Sequence, residues 1–294
     1  MDLRNTFAVR MRRDRLAIAG FFITFFVLAS VVMTLRAKHA EAAAAIPVTL
    51  PFTYAFTTSG TLVETGAMND SSSPYWWLNS GARMFFHDGV GSTIQGELPV
   101  TDTWAKLYAQ NNPWETDNGL HPQNVFRLLS RPTWQNVSQK VSYRMNTYHL
   151  STDEHRSASN GLLLFNRYQD GMNTYYAGVR VDGNAVIKKK KNGTYYSMKF
   201  SKAFPGAYNR NTNPNLLPLN TSIKLKTEVK NLDAKRVEIK LYMDVGKTGV
   251  WKLIASAIDD GASYGGAAFT QAGHGGMRTD FMDVDFDDYE VKSL

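Results

Sequence analysis

In segment after segment beyond Pro51, apolar residues recur at every second position, the period of a strand with one buried and one wet face. Ile223, Leu225, Thr227 and Val229 alternate with Lys224, Lys226 and Glu228. Val237, Ile239, Leu241 and Met243 alternate in the same way with Glu238, Lys240 and Tyr242. Residues 231–235 join the two as a hairpin loop. Val141, Tyr143 and Met145 oppose Ser142, Arg144 and Asn146, and Ala177, Val179 and Val181 oppose Tyr176 and Arg180. Ala185–Lys191 and Thr194–Lys199 flank Asn192-Gly193, a dipeptide that tolerates the positive φ of a two-residue hairpin turn. Trp251, Leu253, Ala255 and Ala257 mark a further strand. In the last strand Val284 and Phe286 point inward, then Tyr289 and Val291, so the phase slips at Asp287-Asp288 and predicts a β-bulge there. Only Trp104–Gln110 has helical character, and 65–80 and 205–220 read as long loops. About a dozen short strands with so little helix predict an all-β, antiparallel, two-sheet jelly-roll sandwich over 51–294.

The N-terminus breaks this pattern. Leu16–Leu35 is twenty residues without a charge, apolar on every face. At a rise of ~1.5 Å per residue such a helix spans the ~30 Å hydrocarbon core of a bilayer. Arg4, Arg10, Arg12, Arg13 and Arg15 precede it, so the positive-inside bias keeps 1–15 in the cytoplasm and exports the rest. The expected organisation is a basic tail (1–15), a transmembrane helix or signal anchor (16–36), a linker (37–50) and the sandwich (51–294). An anchor leaves the domain tethered outside the cytoplasm. A signal peptide cut at Ala40-Glu41-Ala42 releases it. An apolar core longer than the ~7–15 residues of most signal peptides favours the anchor.

The leader also carries +4 of the formal charge of +7, leaving only +3 on the exported part. That mild balance, with no basic stripe or recognition helix, argues against nucleic acid as a partner. There is no cysteine, which excludes disulfides, thiolate catalysis and cysteine-ligated metals together. Asp283, Asp285 and Asp287 share one strand face, where hard oxygen ligands suit a structural Ca²⁺, although the EF-hand pattern fails at its sixth and twelfth positions. On most edges such acids only keep the strand solvated. Lys188–Lys191 reads either as a site for an acidic glycan or as a solvated hairpin tip. The histidines do not fall at metal spacing. His149, beside Tyr148 and near Arg144, is the one candidate general base, suited to a uronic acid whose carboxylate an arginine neutralises. Trp76 and Trp114, in loop-rich sequence, offer rings for stacking on sugars, against the commoner role of packing.

Gly161-Leu-Leu-Leu-Phe-Asn-Arg167-Tyr-Gln-Asp170, followed by Asn173-Thr-Tyr-Tyr176-Ala-Gly-Val-Arg180-Val-Asp-Gly183, resembles the central strands of concanavalin A-like lectin/glucanase sandwiches, the group that includes laminin G-like domains. Gly276-Met-Arg278-Thr-Asp280 and Phe286-Asp-Asp288-Tyr-Glu-Val291 resemble its closing strands. The resemblance implies two antiparallel sheets, carbohydrate binding in many members and a calcium ion in some. It carries no activity over. The Glu-x-Asp-x-x-Glu of the hydrolase branch is absent, as is the Gln-Ile-His of the alginate-lyase branch, and Tyr175-Tyr176-Ala177-Gly178 echoes the lyase strand without its lysine.

The expected function is therefore glycan binding without evident catalysis, at a surface shared by Arg144, Tyr176 and Arg180, with Trp76 and Trp114 as further contacts. A lyase or hydrolase and a structural or adhesive surface protein are the alternatives.

Overall fold

Alternation buries only one face of a strand, so each amphipathic strand needs a sheet to lie in and a second sheet to cover it. The structure, a computed structural model, describes residues 42–294. The segments 1–15 and 16–36 lie outside the described residues. Among the described residues no helix is long and apolar enough to cross a membrane.

Sixteen strands form two antiparallel sheets. They are β1 (Phe52–Tyr54), β2 (Gly60–Val63), β3 (Trp76–Ser80), β4 (Arg83–His87), β5 (Val90–Thr93), β6 (Arg127–Trp134), β7 (Val137–Tyr148) and β8 (Gly161–Asp170). After them come β9 (Asn173–Arg180), β10 (Asn184–Lys191), β11 (Thr194–Lys202), β12 (Ser222–Asn231), β13 (Val237–Val245), β14 (Lys252–Asp259), β15 (Gly273–Thr279) and β16 (Met282–Ser293). The nine-stranded sheet runs β14-β13-β12-β7-β16-β5-β4-β2, with β1 paired to the far end of β16. The seven-stranded sheet runs β11-β10-β9-β8-β15-β6-β3. The expected helix is α1 (Thr103–Asn111), whose N-cap Asp102 accepts from the Trp104 amide at 2.7 Å.

The core is the space between the sheets. Val141, Tyr143, Ile223, Leu225, Ile239, Leu241, Val284 and Phe286 from the larger sheet meet Leu162, Leu164, Tyr175, Ala177, Val179 and Ile187 from the smaller one, all buried. A buried polar network ties the two sheets. Gln139 of β7 donates to the Phe165 carbonyl of β8 (2.8 Å) and accepts from the Gly276 amide of β15 (2.8 Å) and the Tyr289 hydroxyl (2.6 Å). Thr227 of β12 donates to Asn166 of β8 at 2.7 Å. Each of these groups is satisfied only in one register, so the network fixes how the sheets align.

The expected slip in β16 is present: the register shifts between Asp287 and Glu290, and Asp288 sits at φ 54°. Asn192 (φ 49°) and Gly193 (φ 83°) form the expected tight turn. Three expectations change. A bulge at Leu241/Tyr242 shifts the pairing of β14, so Leu253 points to solvent while Ala255 is buried. The stretch 65–80, read as loop, contains β3 at the edge of the smaller sheet. The 37–50 linker is tied down from Ala43 onward. The Ala43 amide donates to the Ser71 carbonyl (2.9 Å), and the Ala43 carbonyl accepts from Arg131 (2.6 Å).

Candidate functional site

Each sheet has an outer face, and the two differ in kind. The larger sheet presents charges that compensate one another: Lys140–Glu290 (3.1 Å), Lys226–Glu228 (3.1 Å), Lys240–Glu238 (3.0 Å) and Lys224–Asp288 (3.0 Å). Arg144 belongs to this face. Its cross-strand partner is Asp285, which takes two hydrogen bonds from the guanidinium at 2.7 and 3.1 Å. Tyr176 and Arg180 lie on β9, in the other sheet. The expected shared surface of Arg144, Tyr176 and Arg180 therefore does not exist. Alternation assigns a residue to a face of its sheet and leaves open which sheet that is.

The acidic run and the histidine are also engaged. Asp283 is buried and accepts from His149 Nε2 (2.8 Å), the Gln123 amide group (2.9 Å) and the Gly96 amide (2.9 Å). These bonds oppose the cost of burial and leave its carboxyl below the usual range. Asp285 is held by Arg144 and Ser92, and Asp287 by Lys247 at 3.2 Å. With separate partners, the three carboxylates do not converge as calcium ligands. Among the described residues no group of three or more His, Asp or Glu is placed to hold a metal ion. His149 follows β7, and its ring packs against His121 at 4.4 Å. Asp283 thereby ties Gly96, Gln123 and His149 to β16, in the nine-stranded sheet, whereas β9 belongs to the other sheet. Trp76 is fully buried in the core, edge-on to Tyr289, and cannot meet a ligand.

The outer face of the seven-stranded sheet is aromatic and basic. One row of register partners crosses it from Trp77 through Leu129, Gly276 and Phe165 to Tyr176 and Lys188. Trp77, Leu129, Phe165, Tyr168 and Tyr176 make an apolar cluster separate from the core. Gly276, at φ 144°, admits no side chain, since a Cβ would stand 2.1 Å from the Leu128 carbonyl oxygen. The row is therefore low between Leu129 and Phe165. The adjacent row runs from Arg127 through Arg278, Leu163, Gly178 and Val186 to Phe200. Tyr195 (47 % exposed) and Phe200 (43 % exposed) on edge strand β11 give the face open aromatic surface.

Cations lie over these rings. Arg278 is 5.6 Å from the Tyr176 centroid, Lys190 5.0 Å from Tyr195, and Arg180 5.3 Å from Phe200. Arg180 also pairs with Asp182 at 2.9 Å, and Arg278 with Asp280 at 2.9 Å. Burial pushes the Tyr195 hydroxyl up, yet Arg278, Lys190 and Arg127 together outweigh it and hold the phenol below its ordinary value.

Trp114 is 80 % exposed, and its carbonyl accepts from Thr152 at 3.2 Å. Its neighbour Glu115 pairs with Arg156, which reaches Asp280 at 2.9 Å and so joins Arg278. Arg127, Tyr195 and Phe200 were not singled out from the sequence. Arg127 and Tyr195 had only a parity opposite to Leu128 and Met198, which face inward, and Phe200, in phase with Met198, reaches the outer face through the register shift between Ile187 and Lys188. The lysine run divides by the same parity. Lys188 and Lys190 face outward over Phe200 and Tyr195, while Lys189 is fully buried.

No family model matches the chain, and none of the curated proteins matches its sequence. Solved structures do match. The carbohydrate binding module CBM66 from Bacillus subtilis is 18 % identical, over 57 % of this chain and 82 % of that one, at a TM-score of 0.39. A Bacillus subtilis protein of unknown function with a galectin-like fold is 11 % identical, over 74 % and 89 %, at 0.44. The exoplasmic/lumenal domain of VIP36, in a Ca²⁺-bound form, is 9 % identical, over 80 % and 90 %, at 0.41. All three are sandwiches of the concanavalin A-like type, and the likeness is one of fold.

Proposed function

We propose that this domain binds a glycan along the outer face of the seven-stranded sheet and holds it without cleaving it. The observation that carries the reading is the exposed rings of Tyr195 and Phe200, backed by the buried ring of Tyr176, with Arg180, Lys188, Lys190 and Arg278 set over these three rings. Sugar rings present apolar C–H faces that pack on aromatic rings, and their hydroxyls accept from guanidinium and ammonium groups. Glycosidic cleavage by paired carboxyl groups needs two of them free to exchange protons or attack. The carboxylates of this face, Asp182 and Asp280, are both held by arginines, which supports binding over hydrolysis. We also propose that the apolar segment 16–36 tethers the domain outside the cytoplasm, on the support of the uncharged run and the arginines before it.

A glycan array probed with the full chain tests the first reading, with reducing-end and unsaturated-uronate assays on every hit. Binding that Tyr195→Ala weakens, with no product formed, is the expected result. Binding unaffected by Tyr195→Ala and Phe200→Ala moves the site elsewhere, and turnover overturns the non-catalytic reading.

A further inference from the structure

Arg127 and Arg278 are direct register partners on β6 and β15. Their Cβ atoms stand on the same face, about 4.5–5.5 Å apart for such a pair. Like charges directly opposite one another destabilise a sheet. Nature usually offsets such a pair with carboxylates, and here the supply falls short. Asp280 accepts from Arg278 (2.9 Å) and is already shared with Arg156 (2.9 Å). Arg127 is partly buried and makes neither an ion pair nor a side-chain hydrogen bond among the described residues, so that Asp280 and Tyr195 favour its charge only without direct contact. Lys188 has no carboxylate partner among them either. Burial, and then the Arg278 charge, push the Arg127 guanidinium below its usual value. Burial, then Arg180 and Arg278, do the same to the Lys188 ammonium. An arginine presents five N–H donors in a fixed planar fork. Leaving that fork half-desolvated, empty and beside a second arginine costs stability, and the sequence has another outward position on the same strand, Leu129, that is filled by an apolar side chain.

We propose that Arg127 and Arg278 form the seat of an anionic substituent, a carboxylate or a sulfate, carried by the glycan bound on this face. The inference rests on the glycan reading above and sharpens it to acidic polysaccharides. An oxyanion between the two guanidiniums converts a repulsive pair into two charge-assisted contacts. Tyr195, exposed beside it, takes the sugar ring. Arg127 is then the residue that makes the site selective for acidic over neutral polymers. Arg278, tied to Asp280, is held in place by the fold.

The test measures affinity of the full chain for two matched pairs at fixed ionic strength: a polyuronate against its carboxyl-reduced form, and a sulfated polysaccharide against its desulfated form. The expected result is a preference of about tenfold or more for the acidic member of at least one pair, equivalent to about 1.4 kcal/mol. The pair that shows it identifies the group. Arg127→Gln is expected to abolish that preference, Arg127→Lys to restore only part of it, and neither to lower the melting temperature, because the guanidinium makes no ion pair or hydrogen bond among the described residues. A melting temperature that falls with Arg127→Gln overturns the idea that this arginine is held for a ligand. Lys188→Gln, on an outward position of β10, gives an independent reading and should reduce the preference in part. If neutral and acidic members bind equally to the unaltered chain, the anion seat is wrong and the glycan reading stands. If none of the four polymers nor any array glycan binds, the glycan reading itself fails.

Discussion

Replacing Lys189 by Met is expected to cost this fold about 4 kcal/mol, within the ~3–5 kcal/mol range for breaking a fully buried ion pair. The lysine lies on β10 with its side chain turned into the sandwich, and both it and Asp259 of β14 are 0 % exposed. Its ammonium uses all three donors: to Asp259 at 2.8 Å, to the Gly266 carbonyl at 2.7 Å and to the Ala267 carbonyl at 3.0 Å. Asp259 accepts in addition from the Tyr175 hydroxyl (2.5 Å) and the Gly261 amide (3.1 Å). Methionine keeps the length of the stem and removes the charge. It leaves a buried carboxylate with neutral donors only, and two loop carbonyls that lose their Lys189 donor, each worth ~1–3 kcal/mol if left unpaired. Against a total stability of ~5–15 kcal/mol this is a large loss. At ~2–4 °C per kcal/mol for a domain of this size, the melting temperature should fall by roughly 8–16 °C. Urea unfolding followed by circular dichroism measures the free-energy loss, and a thermal scan the melting temperature. The double variant Lys189→Met/Asp259→Leu should lose clearly less than the sum of the two single losses, since no charge remains to be buried alone. A single loss below about 1 kcal/mol, or strict additivity of the two, refutes the reasoning.

Val179→Asp should abolish the fold, since an unpaired charge would face the core, whereas Lys224→Ala, whose partner Asp288 is exposed, should change stability by no more than about 0.5 kcal/mol; equal melting temperatures would show the strand parity to be wrong. Glu64 is expected to make stability fall as pH rises. Burial raises its carboxyl from 4.5 to about 7 against the opposing bonds from Tyr108 and Ala82. The folded chain therefore holds a proton that the unfolded chain loses above pH 4.5, and on the order of 1–3 kcal/mol is lost as pH climbs through 7. Glu64→Gln keeps an acceptor for Tyr108 and should flatten that slope, and an unchanged pH profile counts against the assignment. A reporter fused after Leu294 should be active only outside the cytoplasm, and cytoplasmic activity would overturn the proposed topology.

Much of the architecture was legible because sheets obey a period of two. The β12–β13 hairpin, the Asn192-Gly193 turn and the slip at Asp287-Asp288 could be read from alternation and turn chemistry alone. Errors arose where a bulge or a tertiary pairing intervened. Leu253 faces solvent because β14 carries an extra residue, Ile254, at its bulge against Leu241 and Tyr242, and no local pattern marks that. Lys189 looks like one more solvated lysine until β10 is placed, when parity sends it inward to an aspartate 70 residues away in sequence. The candidate site was legible only in part. Tyr176 and Arg180 do share the outer face of β9, but Arg144 belongs to the other sheet, a fact set by long-range pairing. Trp76 and its neighbour Trp77 split between core and outer face, as adjacent strand residues must. Arg127 carried no signal in the sequence beyond a parity opposite to Leu128. What singles it out is that the folded chain sets it opposite Arg278 with no carboxylate to spare.

The central claim is that the glycan lies on the seven-stranded sheet and not on the nine-stranded one. The most direct measurement is the dissociation constant of one array-identified glycan for the full chain, for Tyr195→Ala and for Arg144→Ala. Tyr195→Ala should bind about tenfold more weakly, a loss of about 1.4 kcal/mol, and Arg144→Ala should leave the constant unchanged. Weaker binding for Arg144→Ala with Tyr195→Ala unchanged would contradict it and place the ligand on the opposite face.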